Sequence, residues 1–183
     1  MRRTDYHIDP DHMFSGELKF LSNMYPCTIQ MSVLGHSYTF ESAEAAFQAG
    51  KCLNPSQVAL FTKVENGSAA KKLGRKINMR ADWDTYRLAW MKQVLLCKFT
   101  QNEDLMQQLI DTYPLPLKET NTWNDTFWGV CNGVGKNHLG HLLMQIREEY
   151  RPAEENPEGL DVLQFDHMPK GSFPWNREED FDV

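Results

Sequence analysis

Asn121-Thr-Trp-Asn-Asp125-Thr-Phe-Trp128-Gly129-Val-Cys-Asn-Gly133-Val-Gly135-Lys136-Asn137 runs directly into a segment whose apolar residues fall at Leu139, Leu142, Leu143, Ile146 and Tyr150. That spacing is one face of a helix. A polar loop carrying Asn124 and Asp125 therefore meets two tryptophans, and a glycine-bearing turn then opens a helix. Glycines ahead of a helix let backbone N–H groups approach an anion, and the helix N-terminus adds partial positive charge. Gly135, Lys136 and Asn137 are thus candidates for holding phosphate. The competing reading is a tight structural turn with Asn137 as N-cap, because no complete phosphate-loop signature is present.

Working back toward the N-terminus, Trp83, Tyr86, Trp90, Val94 and Cys97 form a helical stripe widened by Met91 and Leu95, which predicts the central core helix. Trp83 starts that helix, where its ring is either a core or lid residue or a platform for a base. Asp104–Ile110 predicts a further helix, stopped by Pro114 and Pro116, and Leu115–Thr120 then reads as an edge strand. Shorter helices are expected from Pro55 and from Ser68 to Arg75. Cys27–Val33 and Tyr38–Phe40 read as a hairpin turned near Leu34-Gly35. Met1–Glu17 gives no period and reads as an irregular lead-in, and Phe20-Leu-Ser22-Asn23-Met-Tyr25-Pro26 is a turn signal.

Ser42 can cap a helix through Ala43–Lys51, on which Glu44, Gln48 and Lys51 share one face. They are either a solvated face or a carboxylate, an amide and an ammonium aimed into a cleft.

At 183 residues with 41% hydrophobic content, the chain can build one compact core plus an appendage. No apolar run reaches membrane-spanning length, and the opening residues have no signal-peptide core. Four scattered cysteines, without C-x-x-C or nearby histidines at metal spacing, point to a reducing cytoplasm and no structural metal. The net charge of −6 resides in the C-terminal part: Arg151–Val183 holds nine acidic and three basic residues, so the remainder is neutral. A neutral body argues against non-specific nucleic-acid binding. After Tyr150 the chain becomes an acidic, proline-interrupted arm from 151 to 183, whose sparse Leu160, Val162, Leu163, Phe165, Phe173 and Trp175 can dock on a surface but cannot form a core.

Phe20-Leu-Ser-Asn-Met-Tyr-Pro26, Ser42-Ala-Glu44-Ala-Ala-Phe47-Gln48-Ala-Gly-Lys51, Leu73-Gly-Arg75, Trp83, Asn124-Asp-Thr-Phe-Trp128-Gly129, Gly135-Lys-Asn-His-Leu-Gly140 and Leu142-Leu-Met-Gln-Ile-Arg147 are together similar to the NADAR family of YbiA-like N-glycosidases. The similarity runs in family order from about Phe20 to Tyr150. It implies an α+β fold, a mostly helical single domain with a small antiparallel sheet, spanning 1–150.

The resemblance also implies hydrolysis of N-glycosidic bonds in ribosylated compounds. Family substrates include riboflavin-pathway ribosylamino-pyrimidine phosphates and ADP-ribose on guanine. The family's functional carboxylates fall on Glu44 and Asp125 and its functional tryptophan on Trp83. Substrate contacts are expected from Ser22, Asn23, Gln48, Lys51, Arg75, Asn124, Trp128, Gly129, Gly135, Lys136 and Asn137, with no cofactor required. Lys51, Arg75 and the Gly135–Asn137 turn are the phosphate candidates. Trp83 or Trp128 would stack on the base. His138, Ala45 and Val130-Cys131-Asn132 depart from the usual pattern and bear on substrate identity more than on reaction type. The alternative is a nucleotide- or ADP-ribose-binding module without turnover, which would have no need of two carboxylates.

Overall fold

The computed structural model describes residues 6–152. The acidic arm, including the expectation that Leu160–Trp175 docks, lies outside the described residues. Among those described, the order is a 3-10 helix (Gly16–Leu21), β1 (Pro26–Val33), β2 (His36–Ser42), α1 (Ala43–Ala49), α2 (Pro55–Phe61), α3 (Gly67–Gly74), α4 (Trp83–Thr100), α5 (Glu103–Asp111), β3 (Thr120–Asn121), β4 (Val130–Cys131) and α6 (His138–Tyr150). The fold is α+β and mostly helical, with one small antiparallel sheet, as expected.

The hairpin turns where the sequence places it. Val33 pairs with His36 across Leu34 and Gly35, whose φ values of 51° and 79° are both left-handed. A two-residue turn with both central residues at positive φ matches the twist of paired strands. Ile29, Val33 and Phe40 point inward and their neighbours outward, so only one face of the hairpin is buried.

β2 passes into α1 at Ser42, whose hydroxyl accepts the N–H of Ala45 at 3.2 Å. Asn54 and Asn66 cap α2 and α3 in the same way, through Gln57 and Ala69. All seven residues of α1 are buried, and it touches β1, β2, α2, α3 and α4. The buried centre is therefore this short alanine-rich helix rather than α4. Alanines suit that position because neighbouring elements can approach the backbone closely. Gly50 and Gly67 continue the theme: a Cβ at the first would collide with the Trp90 indole, and at the second with Met24.

α4 is the long wall against which α1 packs. It buries Trp83, Trp90, Met91, Val94, Leu95 and Phe99, each contributing about 1.5–3 kcal/mol of burial. Tyr86 and Cys97, which the stripe placed inside, are half-buried, and Lys98 takes a core position instead. Its ammonium donates to Phe20 O at 2.6 Å and Ser22 O at 2.9 Å, hooking the 3-10 helix onto α4. That helix, with Leu18, Phe20 and Leu21 buried, begins within the stretch expected to be irregular.

The edge strand expected over Leu115–Thr120 does not form. Pro114 and Pro116 lack the N–H groups a ladder needs. Only Thr120–Asn121 pairs, in parallel with Val130–Cys131. α6 forms as its periodicity predicts, burying Leu139, Leu143 and Ile146, while Tyr150 is exposed.

Candidate active site

α1, the Ser22–Met24 turn, the start of α4, Lys71 of α3 and the 119–128 segment enclose a cavity of about 530 Å³. Glu44 enters it from the first turn of α1. Its N–H donates to Asn23 O at 2.9 Å, which ties the turn to the helix. One turn later, Gln48 Nε2 donates to Glu44 Oε1 at 2.7 Å. At 6% and 5% exposure these two residues are not a solvated face. Lys51 follows on the same side, with its ammonium 5.5 Å from the Trp83 ring and 5.9 Å from that of Phe47.

The electrostatics follow from burial. Removal from water pushes the Glu44 carboxyl above its ordinary range, while the Gln48 hydrogen bond and Lys71, Lys51 and Arg75 pull it back. Burial likewise holds the Lys51 ammonium below its ordinary range; Glu44 opposes this, and Lys71, Arg75 and Arg87 add to it. The amide of Gln48 fits only because α3 ends at Gly74, where a Cβ would strike its Oε1.

Asp125 comes from the opposite wall. Its Oδ1 accepts the N–H groups of Trp128 at 2.9 Å and Phe127 at 3.2 Å, and its own backbone is held by Asn121. This bracket fixes the direction of the carboxylate. Trp83 lines the cavity but is 95% buried, packed on Phe47 at 5.1 Å and Tyr86 at 6.2 Å. It is a wall residue of the core and the cavity at once. Trp128 is half-buried and meets Phe47 edge-on.

Of the residues expected from sequence, the cavity gathers Ser22, Asn23, Glu44, Gln48, Lys51, Trp83, Asp125 and Trp128. Arg75, Asn124, Gly129, Gly135, Lys136 and Asn137 are not on its lining. The reason is clearest at the start of α6. Lys136 N–H donates to Thr126 O, Asn137 N–H to Gly129 O, His138 N–H to Phe127 O and Leu139 N–H to Trp128 O. The donors that would cradle a phosphate are already bonded to the chain. Asn137 stands at the N-cap position with φ 52°, yet its side chain makes no cap hydrogen bond. Its amide instead donates to Leu117 O at 2.9 Å and accepts Glu119 N–H at 3.0 Å. Gly129 and Gly135 serve close packing, since a Cβ at either would collide with backbone. Arg75 is exposed and acts on Glu44 and Lys51 only through its charge.

Sequence reasoning missed Glu119, Lys71, Arg87 and Trp123, all on the lining. Lys71 and Arg87 join Lys51 as cations at the cavity. Arg87 lies 3.6 Å above the Phe127 ring. Trp123, 54% exposed, stacks on His12 at 5.7 Å. A usable signal existed for Trp123, which belongs to the aromatic-rich loop; nothing local marks the other three. Among the described residues no group of three or more His, Cys, Asp or Glu side chains is placed to hold a metal ion, and no helix is long and apolar enough to cross a membrane.

The NADAR domain profile matches residues 13–151, a span that includes every residue lining the cavity except His12. The chain belongs to the NADAR family. It is 35% identical over 114 residues to the N-glycosidase YbiA of Escherichia coli, covering 61% of this chain and 71% of that protein. It is 34% identical over 178 residues to the riboflavin biosynthesis protein VVA0006 of Vibrio vulnificus, covering 96% of this chain and 45% of that one. The chain thus spans less than half the length of that relative. The NMR structure of E. coli YbiA superposes with a TM-score of 0.65 at 31% identity, over 84% of this chain and 92% of that one. The NADAR fold is therefore supported by sequence and by shape.

Proposed function

We propose that the cavity is the active site of an N-glycosidase that hydrolyses the bond between ribose C1′ and a nitrogen of a phosphorylated, ribosylated substrate. The observation that carries this is the convergence of Glu44, Asp125 and Trp83, from three separate segments, on one cavity of a NADAR domain. Cleaving such a bond builds positive charge on the sugar, and fixed carboxylates facing C1′ stabilise it and orient the attacking water. Glu44 and Asp125 take these two tasks. Asn23, whose buried Oδ1 has no partner, offers an acceptor to a ribose hydroxyl. Lys51, Lys71 and Arg87 replace the Gly135–Asn137 turn as the phosphate-binding set.

A small ribosylamino-pyrimidine phosphate is the preferred substrate, in keeping with a relative named for riboflavin biosynthesis that aligns with 96% of this chain. ADP-ribosyl guanine is the second reading, favoured by the exposed Trp123 at the rim, which offers a stacking surface for a second base. A cytoplasmic location agrees with four free cysteines.

Incubation with both substrates, followed by mass spectrometry for free base and ribose phosphate, tests the proposal. Release of base from either substrate is the expected result. Saturable binding of both with release from neither would make the domain a nucleotide-binding module.

A further inference from the structure

The sequence gives Glu119 no motif, yet the fold holds it with unusual care. Its N–H donates to the Asn137 side chain at 3.0 Å, and its carbonyl accepts Val130 N–H at 2.8 Å. Gly129 leaves the space beside it, since a Cβ there would collide with the Glu119 carbonyl and come within 3.0 Å of its Cγ. Gly135 in turn packs on the Gly129 carbonyl. Gly135 and Asn137, two members of the turn expected to hold phosphate, therefore join Gly129 in placing one glutamate. The carboxyl so placed lines the same cavity as Glu44 and Asp125, and its buried Oε2 has no hydrogen-bond partner. A backbone pinned from both sides that presents an unpartnered carboxyl oxygen in a site holding two other carboxylates is the geometry of a group awaiting a ligand atom.

Resting on the N-glycosidase reading, we propose that Glu119 is the general acid that protonates the leaving nitrogen, leaving Glu44 and Asp125 to the sugar and the water. As the C1′–N bond breaks, its electron pair goes to nitrogen, which takes the Glu119 proton. Water oxygen forms the new C1′–O bond and gives its proton to Asp125 or Glu44. That proton passes to solvent while Glu119 is reprotonated, so one water is consumed and one free base and one free sugar are formed.

Burial raises both glutamates of the cavity, Glu44 and Glu119, above their ordinary range. Burial is the largest cause for Glu119. Asp125 and Glu44 raise it further, Lys71 opposes them, and it reaches about 7. The other charged or titratable side chains on the lining are Lys51 from α1, Arg87 from α4 and His12 from the N-terminal segment. A carboxyl that keeps its proton near neutrality can donate it; burial raises Glu44 as well, but its Oε1 is already engaged by the Gln48 amide, whereas Glu119 Oε2 has no partner and is open to a ligand atom.

The full chain is assayed on a pyrimidine N-riboside phosphate, whose nitrogen must be protonated to leave, and on a para-nitrophenyl riboside phosphate, whose phenolate leaves without a proton. In the wild type, kcat on the N-riboside is expected to fall as pH rises through about 7. Glu119→Gln should lower that kcat by about 100-fold or more and abolish the alkaline limb, with the aryl riboside rate changed by less than about threefold. A limb that persists in Glu119→Gln, or an equal loss on both substrates, overturns the proposal. If Glu119→Gln does not fold, carboxyl 13C titration of the wild type decides: the Glu119 resonance must titrate near 7, and titration below 5 overturns the assignment. A wild type that releases base from nothing defeats the N-glycosidase reading itself, and Glu119 with it. A wild type that is active while Glu119→Gln is equally active defeats only the acid.

Discussion

The two walls of the cavity are built by different rules. On one, Glu44, Gln48 and Lys51 follow one another along α1 and the turn after it, and helical periodicity alone puts them on one side. On the other, Glu119, Asp125 and Trp128 come from a segment with almost no regular structure, and their positions depend on Asn121, Gly129, Gly135 and Asn137. The first wall is a repeat read along the chain. The second is a set of backbone hydrogen bonds between residues far from periodic. It follows that shape-preserving substitutions of the α1 side chains that face the cavity should change chemistry with little change in folding, and that polar substitutions on the irregular wall should change folding unless the residue faces the cavity.

The sharpest test of that contrast removes charge but keeps shape. Glu44→Gln retains an acceptor for Gln48 Nε2, and Asp125→Asn retains one for the N–H groups of Phe127 and Trp128. Each is expected to lower kcat by about 100-fold or more with KM nearly unchanged and no loss of melting temperature, as for groups acting in the transition state. A loss confined to KM would break the comparison by making both residues binders. Trp83→Ala comes next, because its ring belongs to core and cavity together. Truncation should cost about 3–5 kcal/mol in denaturant unfolding, and a stable variant that merely binds substrate less well would return Trp83 to a purely stacking role.

Glu119 gives a smaller effect with a definite sign. A carboxyl raised from 4.5 to about 7 in the folded state binds more protons there than when unfolded. Stability therefore falls as pH rises through that window, and the full penalty remains above it. At 1.36 kcal/mol per pKa unit the penalty is on the order of 3 kcal/mol. Glu119→Gln should accordingly raise the melting temperature at pH 8 and change it little at pH 4.5, and calorimetry at the two pH values reads the difference. The smallest effects sharpen the irregular wall. Asn137→Ala removes two side-chain hydrogen bonds and should cost about 1–3 kcal/mol of stability. Its neighbour Lys136→Ala, exposed and off the lining, should leave both stability and KM within error. A large rise in KM for Lys136→Ala would restore the phosphate-loop reading of that turn.

These contrasts also explain what could be read before the structure was known. Helices α4 and α6, the hairpin turn at Leu34-Gly35 and the α1 face follow from period, caps and glycine, which are local. The misreadings cluster where a residue type has two uses. Asn137 and Gly135 have the composition of an anion site, but their donors and space are taken by carbonyls at 126–129 and by Glu119. Leu115–Thr120 has strand-like residues, but its prolines deny it a ladder. Glu119, Lys71 and Arg87 left no local trace because a charged residue carries no signal of the cavity it will face; only long-range packing places it there. α1 does not stand out in sequence as the centre of the core, because alanines look unremarkable there and become decisive only when every neighbour must come close.

The hook between Lys98 and the carbonyls of Phe20 and Ser22 spans 78 and 76 positions. The turn carrying Asn23 is synthesised well before its anchor, which arrives only after the whole hairpin, three helices and most of α4 have been made. Contacts so distant in sequence are slow to close. During vectorial synthesis this wall must wait for the ammonium to emerge, so a part made early is completed late.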